Sequence, residues 1–165
     1  MVFRVARPRH GILGSVILIA EDSAETRKQL AALLEKHRYH VIQAADGREA
    51  LNYLQAEMEH GRPLPALLIT DLNMPNMDGM QLIAEMQRSE ALAALPIIEV
   101  SGSSTASLRM VGLTAPMRRG LPGGQVDRRP GRTGGVVGSF VKPIRGEKEF
   151  LALVAQHAHA DKGAD

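Results

Sequence analysis

The stretch Ala66-Leu-Leu-Ile-Thr-Asp71-Leu-Asn-Met-Pro-Asn-Met-Asp-Gly79 decides how the chain is read. Pro65 precedes an apolar run with no polar alternation, the pattern of a short strand covered on both faces. The run stops at a carboxylate, Asp71. Pro75 and the pair Asp78-Gly79 then punctuate a loop, and Met80, Ile83, Ala84 and Met86 recur at helical spacing. The segment is therefore strand, loop, helix, with an acid at the carboxyl end of the strand.

The same alternation extends in both directions. Residues 15–20 form a first apolar strand. Residues 23–37 follow as an amphipathic helix, with Asp22 and Glu25 at capping-box spacing and Leu30, Leu33, Leu34 and His37 on one face. Val41–Ala45 is a second strand. Asp46-Gly-Arg-Glu49 opens a second helix with the stripe Ala50, Leu51, Leu54, Met58. Pro96 precedes a fourth strand, Ile97–Ser101. Order resumes at Phe140-Val-Lys142-Pro143, and a last helix over 147–159 buries Phe150, Leu151, Val154 and Ala158. Repeated strand–helix order predicts an α/β fold, a parallel sheet with helices on both faces. The expected organisation is a flexible extension over 1–14, one domain over 15–159 with an irregular stretch at 103–138, and a tail at 160–165.

Length and composition fit that reading. The chain has 165 residues, 44% of them hydrophobic and 23% charged, which suits one soluble domain with a real core. It has no Cys, so a disulfide framework and thiolate metal sites are excluded, and a reducing cytoplasm is the expected compartment. Arg4, Arg7, Arg9 and the apolar run after Gly11 resemble the start of a secretory signal. That run ends directly in Glu21-Asp22, however, and is too short to span a bilayer, so it reads as a strand. The formal net charge is +2. With +3 on residues 1–15 and +5 on 103–138, the other 114 residues carry −6. The basic character lies in two segments and the body is acidic, which argues against nucleic acid as a partner.

In an open parallel sheet, ligands gather at the carboxyl ends of the strands. Glu21 and Asp22, Asp71, Ser101 and Lys142 stand at those ends here. Crowded carboxylates repel one another and call for a cation; hard oxygen ligands without Cys or clustered His select Mg²⁺. The open positions of such an ion suit phosphate oxygens, with Lys142 as a point charge and the Ser101 hydroxyl as a hydrogen-bond donor.

Leu68-Ile-Thr-Asp71-Leu-Asn-Met-Pro-Asn-Met-Asp-Gly-Met80 resembles the phosphoacceptor signature of response-regulator receiver domains. Ile-Leu-Ile-Ala-Glu21-Asp22-Ser resembles the family's first strand and acidic pair, Ile-Ile-Glu-Val-Ser101-Gly its fourth strand with the switch hydroxyl, and Val141-Lys142-Pro143-Ile the end of its fifth. The resemblance covers about 15–102 and 139–159. It implies a CheY-like (flavodoxin-like) sheet of five parallel strands in a two-component system. Asp71 is then the nucleophile that takes a phosphoryl group from a phosphohistidine. Asp22, Asp71 and the backbone carbonyl of Asn73 would bind Mg²⁺, with Glu21 acting through water where the family most often has Asp. Lys142 would contact the phosphoryl group, Lys142–Pro143 would be cis, and Ser101 would shift toward the phosphoryl oxygen. Asn73 and Ser103 lie where the family tunes the lifetime of its acyl phosphate. The implied partners are a sensor histidine kinase or histidine phosphotransfer protein and a downstream protein. No enzymatic turnover is implied beyond self-phosphorylation and slow autodephosphorylation.

Between Ser101 and Lys142 the resemblance fails. Residues 102–138 hold nine of the sixteen Gly and three Pro, with little helical periodicity outside 104–113, and the stretch exceeds a normal crossover by about twenty residues. The helix of this crossover is left undefined. The stretch admits three readings: a natural insertion that remodels the output face, a basic loop that docks an acidic partner or nucleic acid, or a segment read in a shifted frame, which the Arg/Gly/Pro bias favours. Loss of the crossover helix would expose apolar sheet surface and favour a homodimer. Phe140 lies two residues before Lys142, one short of the family's switch aromatic, so that role is not transferred to it. The overall expectation is a stand-alone receiver, since the tail is too short for a helix-turn-helix. Three other readings stay open: a degraded receiver that docks without being phosphorylated, a nucleic-acid binder whose mark would be a steeply salt-dependent affinity for DNA, and a Mg²⁺-dependent phosphohydrolase with an Asp nucleophile. Such hydrolases typically place a second Asp two residues on, where this chain has Asn73.

Overall fold

The computed structural model describes residues 15–102 and 135–158. The expected extension, most of the irregular stretch with Ser103, and the tail lie outside the described residues. Five strands form one parallel sheet: β1 (Val16–Ala20), β2 (His40–Ala44), β3 (Leu67–Thr70), β4 (Pro96–Ser101) and β5 (Gly135–Val141), in the order β2-β1-β3-β4-β5. The helices are α1 (Ala24–Lys36), α2 (Gly47–Glu59), α3 (Gly79–Gln87), a single turn α4 (Glu90–Ala93) and α5 (Glu147–Ala158). This is the doubly wound order, in which the order of strand addition reverses between β1 and β3 while every strand stays parallel. Among the described residues, no helix is long and apolar enough to cross a membrane.

The sheet separates two apolar cores because successive strand residues point to opposite faces. Leu18, Ala20, Leu68 and Ile97 face α2 and α3, against Ala50, Leu54, Leu82 and Met86. Ile17, Ile19, Leu67, Ile69, Ile98 and Val100 face α1 and α5, against Leu30, Leu34, Phe150 and Val154. Coverage on both sides explains why the central strands read as unbroken apolar runs. Ser15 Oγ donates to the Ala158 carbonyl oxygen, tying the start of β1 to the end of α5.

Several local expectations are corrected. The cap of α1 is Ser23, whose Oγ accepts from Thr26 N–H; Asp22 points elsewhere and the expected Asp22–Glu25 box is not formed. His37 is an exposed C-cap residue rather than part of the apolar face. In α3 the buried face is Leu82, Ile83 and Met86, while Met80 is 40% exposed, as is Met58 in α2. The true capping box belongs to α3, where Asp78 and Gln81 bond reciprocally.

The largest difference concerns β5. It begins at Gly135, so 135–138 are strand and not part of the irregular stretch. Two glycines conceal it in the sequence, and both have a reason. Gly135 enters at φ +101, where other residues are strained. A Cβ on Gly138 would stand 2.2 Å from Leu153 Cδ2, so a larger residue there would require the Leu153 side chain of α5 to move. Ile97 pairs with Val136 and Ile98 with Gly138, leaving Val137 as an extra residue in a bulge. Phe140 turns inward and meets Phe150 edge-on, with ring centroids 5.3 Å apart.

Candidate functional site

Backbone hydrogen bonds align the strand ends that carry the site. Asp71 N–H donates to the Ala20 carbonyl at 2.9 Å, Glu21 N–H to Ala44 at 3.0 Å, and Lys142 N–H to Ser101 at 2.8 Å. Parallel register does the rest: Ala20 pairs with Thr70, and Ser101 with Val141. Residues distant in sequence thus leave the sheet together, without any long-range side-chain contact being needed to find one another.

Of the six expected residues, four bring their side chains together. Ligand oxygens of Glu21, Asp22 and Asp71 all lie within 4.8 Å of one another. Lys142 Nζ lies 2.6 Å from Glu21 Oε2 and donates to Asp71 Oδ2 at 2.8 Å. The Lys142–Pro143 peptide is cis, as expected. Ser101 is buried at the end of β4, one strand over. Asn73 is exposed in the loop after β3, and its N–H donates to Asp71 Oδ1 at 3.3 Å, alongside Leu72 N–H at 2.7 Å. Asp71 therefore presents one oxygen to backbone donors and the other to the ammonium.

The electrostatics follow from burial. Glu21 is 1% exposed, and loss of water pushes its carboxyl above the ordinary range against the opposing hydrogen bonds from Lys142 and Ser23 N–H; the Asp71 charge adds to the rise. Burial works against the Lys142 ammonium, but the hydrogen bonds and charges of Asp71 and Glu21 outweigh it and raise its pKa. Asp22 stays exposed at the mouth. Arg27 approaches from the other side, donating to the Glu21 carbonyl oxygen at 2.7 Å. One ammonium against three carboxylates leaves negative charge uncompensated, and the donors are all hard oxygens. That set fits a small divalent cation such as Mg²⁺.

The sequence reading did not single out three further residues here. Gly79 N–H donates to the Leu72 carbonyl at 2.9 Å, and a Cβ on Gly79 would collide with Asp71. Asp46 and Asn76 hold the loop after β3 to the start of α2 through a 2.7 Å hydrogen bond. Asp46-Gly47 is visible in the sequence as a helix start, but its second partner is thirty residues away.

The comparisons with known proteins agree with this arrangement. The family model described as the response regulator receiver domain matches residues 17–121. Response regulator GtcR of Aneurinibacillus migulanus is 36% identical over 101 residues, covering 61% of this chain and 38% of that protein. The crystal structure of a response regulator receiver protein from Pseudomonas putida superposes with a TM-score of 0.65 at 27% identity, covering 88% of this chain and 99% of that one. The receiver domain of sensor histidine kinase PA1611 from Pseudomonas aeruginosa, with a magnesium ion in its active-site cleft, gives a TM-score of 0.64 at 19% identity over 88% and 98% of the two chains; at that identity it shows the fold alone. The chain spans between about two-fifths and three-fifths of the length of the first curated relatives it matches. With more than half its length matched by the family model, and with the doubly wound fold of the solved receivers, the chain belongs to the response regulator receiver domain family.

Proposed function

We propose that the protein is a phosphoacceptor receiver: Asp71 takes a phosphoryl group from a phosphohistidine on a sensor histidine kinase or histidine phosphotransfer protein and passes the signal to a downstream protein. The observation that carries this reading is the placement of Lys142 Nζ 2.8 Å from Asp71 Oδ2, within a cluster that also holds Glu21 and Asp22. In the transfer, the P–N bond of the donor breaks as a bond forms from phosphorus to an Asp71 oxygen. The electron pair leaves on the imidazole nitrogen.

Such a transfer depends on alignment and on neutralising the oxygens of the moving group. The Leu72 and Asn73 N–H groups fix Asp71 in rotation. Lys142 supplies a positive charge beside the nucleophile. Asp22, Asp71 and the Asn73 carbonyl would hold Mg²⁺, with Glu21 acting through water. Mg²⁺ bound there supplies charge neutralisation to the phosphoryl oxygens. Ser101, buried one strand over, is assigned the hydroxyl that follows the new phosphoryl group and transmits its arrival to the β4–β5 side of the sheet. The protein is in this reading a transducer without product turnover.

Incubation with acetyl phosphate and Mg²⁺ is expected to add one phosphoryl mass in acid-labile form, and Asp71→Asn to abolish it. Persistence of label in that variant would overturn the assignment.

A further inference from the structure

The loop from Asp71 to Asp78 must hold the Asn73 peptide close to the Asp71 carboxylate, yet it has few internal bonds. Its middle is instead fixed from outside, by the first residues of α2. Asn76 sits in the left-handed region at φ 64, a conformation Asn tolerates better than most side chains. The turn around it is closed by Met77 N–H donating to the Pro75 carbonyl at 2.7 Å. It projects the Asn76 amide onto Asp46, with Nδ2 donating to Oδ2 at 2.7 Å. The other oxygen of Asp46 is already engaged, accepting from Glu49 N–H at 2.8 Å as the cap of α2. Beside this contact the two backbones touch: Gly47 N–H donates to the Met77 carbonyl at 3.0 Å, and a Cβ on Gly47 would come within 2.5 Å of that oxygen. The Met77 side chain is buried in the core shared with Ala44 and Leu51.

We propose that Asp46 and Asn76 are positioning residues for the phosphoacceptor loop: one carboxylate caps α2 with one oxygen and clamps the loop with the other, so that the Asn73 peptide is presented to the metal from a rigid helix end. Only Asn73, Met74 and Pro75 separate the clamp from Leu72, which Gly79 holds at the other side. Releasing the clamp therefore frees the peptide next to Asp71 without touching any side chain of the acidic cluster. The inference rests on the reading of Asp71 as phosphoacceptor only for its purpose; the clamp itself can be measured without phosphate or metal.

Three variants separate clamp from cap. Asn76→Gly keeps the left-handed backbone and deletes the amide. Asp46→Ser keeps a good cap acceptor but is too short to reach Asn76. Asp46→Asn keeps the cap and can regain the clamp if the Asn76 amide flips to accept. In metal-free protein, Asn76→Gly and Asp46→Ser are expected to speed hydrogen exchange of the Gly47 amide about fivefold, the loss of one hydrogen bond, with amides in the middle of α2 unchanged. By calorimetry both should weaken Mg²⁺ binding about threefold to fivefold, and Asp46→Asn should restore both readouts. Unchanged exchange and Mg²⁺ affinity, or an Asp46→Asn protein as impaired as Asp46→Ser, would overturn the clamp. Failure of the functional reading would show differently, as label retained by Asp71→Asn with the exchange result intact.

Discussion

Gly79 approaches Asp71 so closely that a Cβ built on it would stand 2.2 Å from the Asp71 carbonyl oxygen. The first residue of α3 thus packs against the backbone of the residue on which the site depends. Alanine is ordinarily preferred to glycine in a helix by about 1 kcal/mol. Here the order is reversed, because the obstacle is backbone and cannot rotate away. Gly79→Ala is expected to destabilise the protein by about 2 kcal/mol through overpacking and to weaken Mg²⁺ binding, as the shift displaces Asp71. Gly102, with nothing within 4 Å of its Cβ position among the described residues, is the control, and Gly102→Ala should leave the urea midpoint unchanged.

Lys142 is the sole cation in contact with both Glu21 and Asp71 among the described residues. Lys142→Met would leave two buried carboxylates facing each other, a cost of about 3 kcal/mol at neutral pH. The sign of its pH dependence follows from Glu21, whose carboxyl is already raised by burial. A carboxyl with a folded pKa above its unfolded one stabilises most when protonated, and that contribution is lost as pH rises through the folded value. The variant should therefore regain stability as the pH is lowered from neutrality, and equally on addition of Mg²⁺. Urea unfolding at two pH values, with and without the metal, reads both effects; a variant insensitive to pH and Mg²⁺ would contradict the electrostatic account.

Asp22 separates metal binding from structure. It is exposed and does not cap α1, that task falling to Ser23. Asp22→Ala is expected to change the melting temperature of the metal-free protein little. Wild-type protein at a Mg²⁺ concentration about 100 times its Kd should gain about 2.7 kcal/mol, a gain that Asp22→Ala would largely lose. A Mg²⁺-induced shift of equal size in both proteins would remove Asp22 from the ligand set.

What could be read from sequence divides along physical lines. Strands covered on both faces announce themselves as apolar runs, and the carboxylates, hydroxyl and ammonium at their ends follow from topology alone. The meeting of Glu21, Asp71 and Lys142 was legible for that reason. The start of β5 is hidden because Gly135 and Gly138 carry no side-chain signal, and the approach of Leu153 to Gly138 is visible only in the tertiary structure. The Met80 and Ala84 stripe failed because helical spacing does not say which of two overlapping faces is inward, and Leu82 won. Gly79 and Asn76 each look like loop punctuation until the backbone of Asp71 or the carboxylate of Asp46 is seen beside them. Contacts of that kind belong to tertiary structure and have no periodicity to detect.

Tyr53 offers a test of packing outside the acidic cluster. It is 8% exposed on the inner face of α2, and burial, together with the nearby Glu57 charge, pushes its hydroxyl from an ordinary value of 10 up to about 12, against the opposing charge of Arg62. The folded protein therefore holds this proton more tightly than the unfolded chain. The resulting stabilisation is complete below pH 10, falls as the unfolded tyrosine ionises while the folded one does not, and is gone above about 12. Two units correspond to about 2.7 kcal/mol at most. Tyr53→Phe should abolish that part of the alkaline loss of stability, so that the difference between wild type and variant narrows or changes sign between these limits. Tyrosinate absorbance of the folded protein should correspondingly lose its latest-titrating step in the variant, leaving Tyr39, which burial also raises. A wild-type protein in which both tyrosines ionise at the ordinary pKa would show that α2 does not seal its face of the sheet in solution.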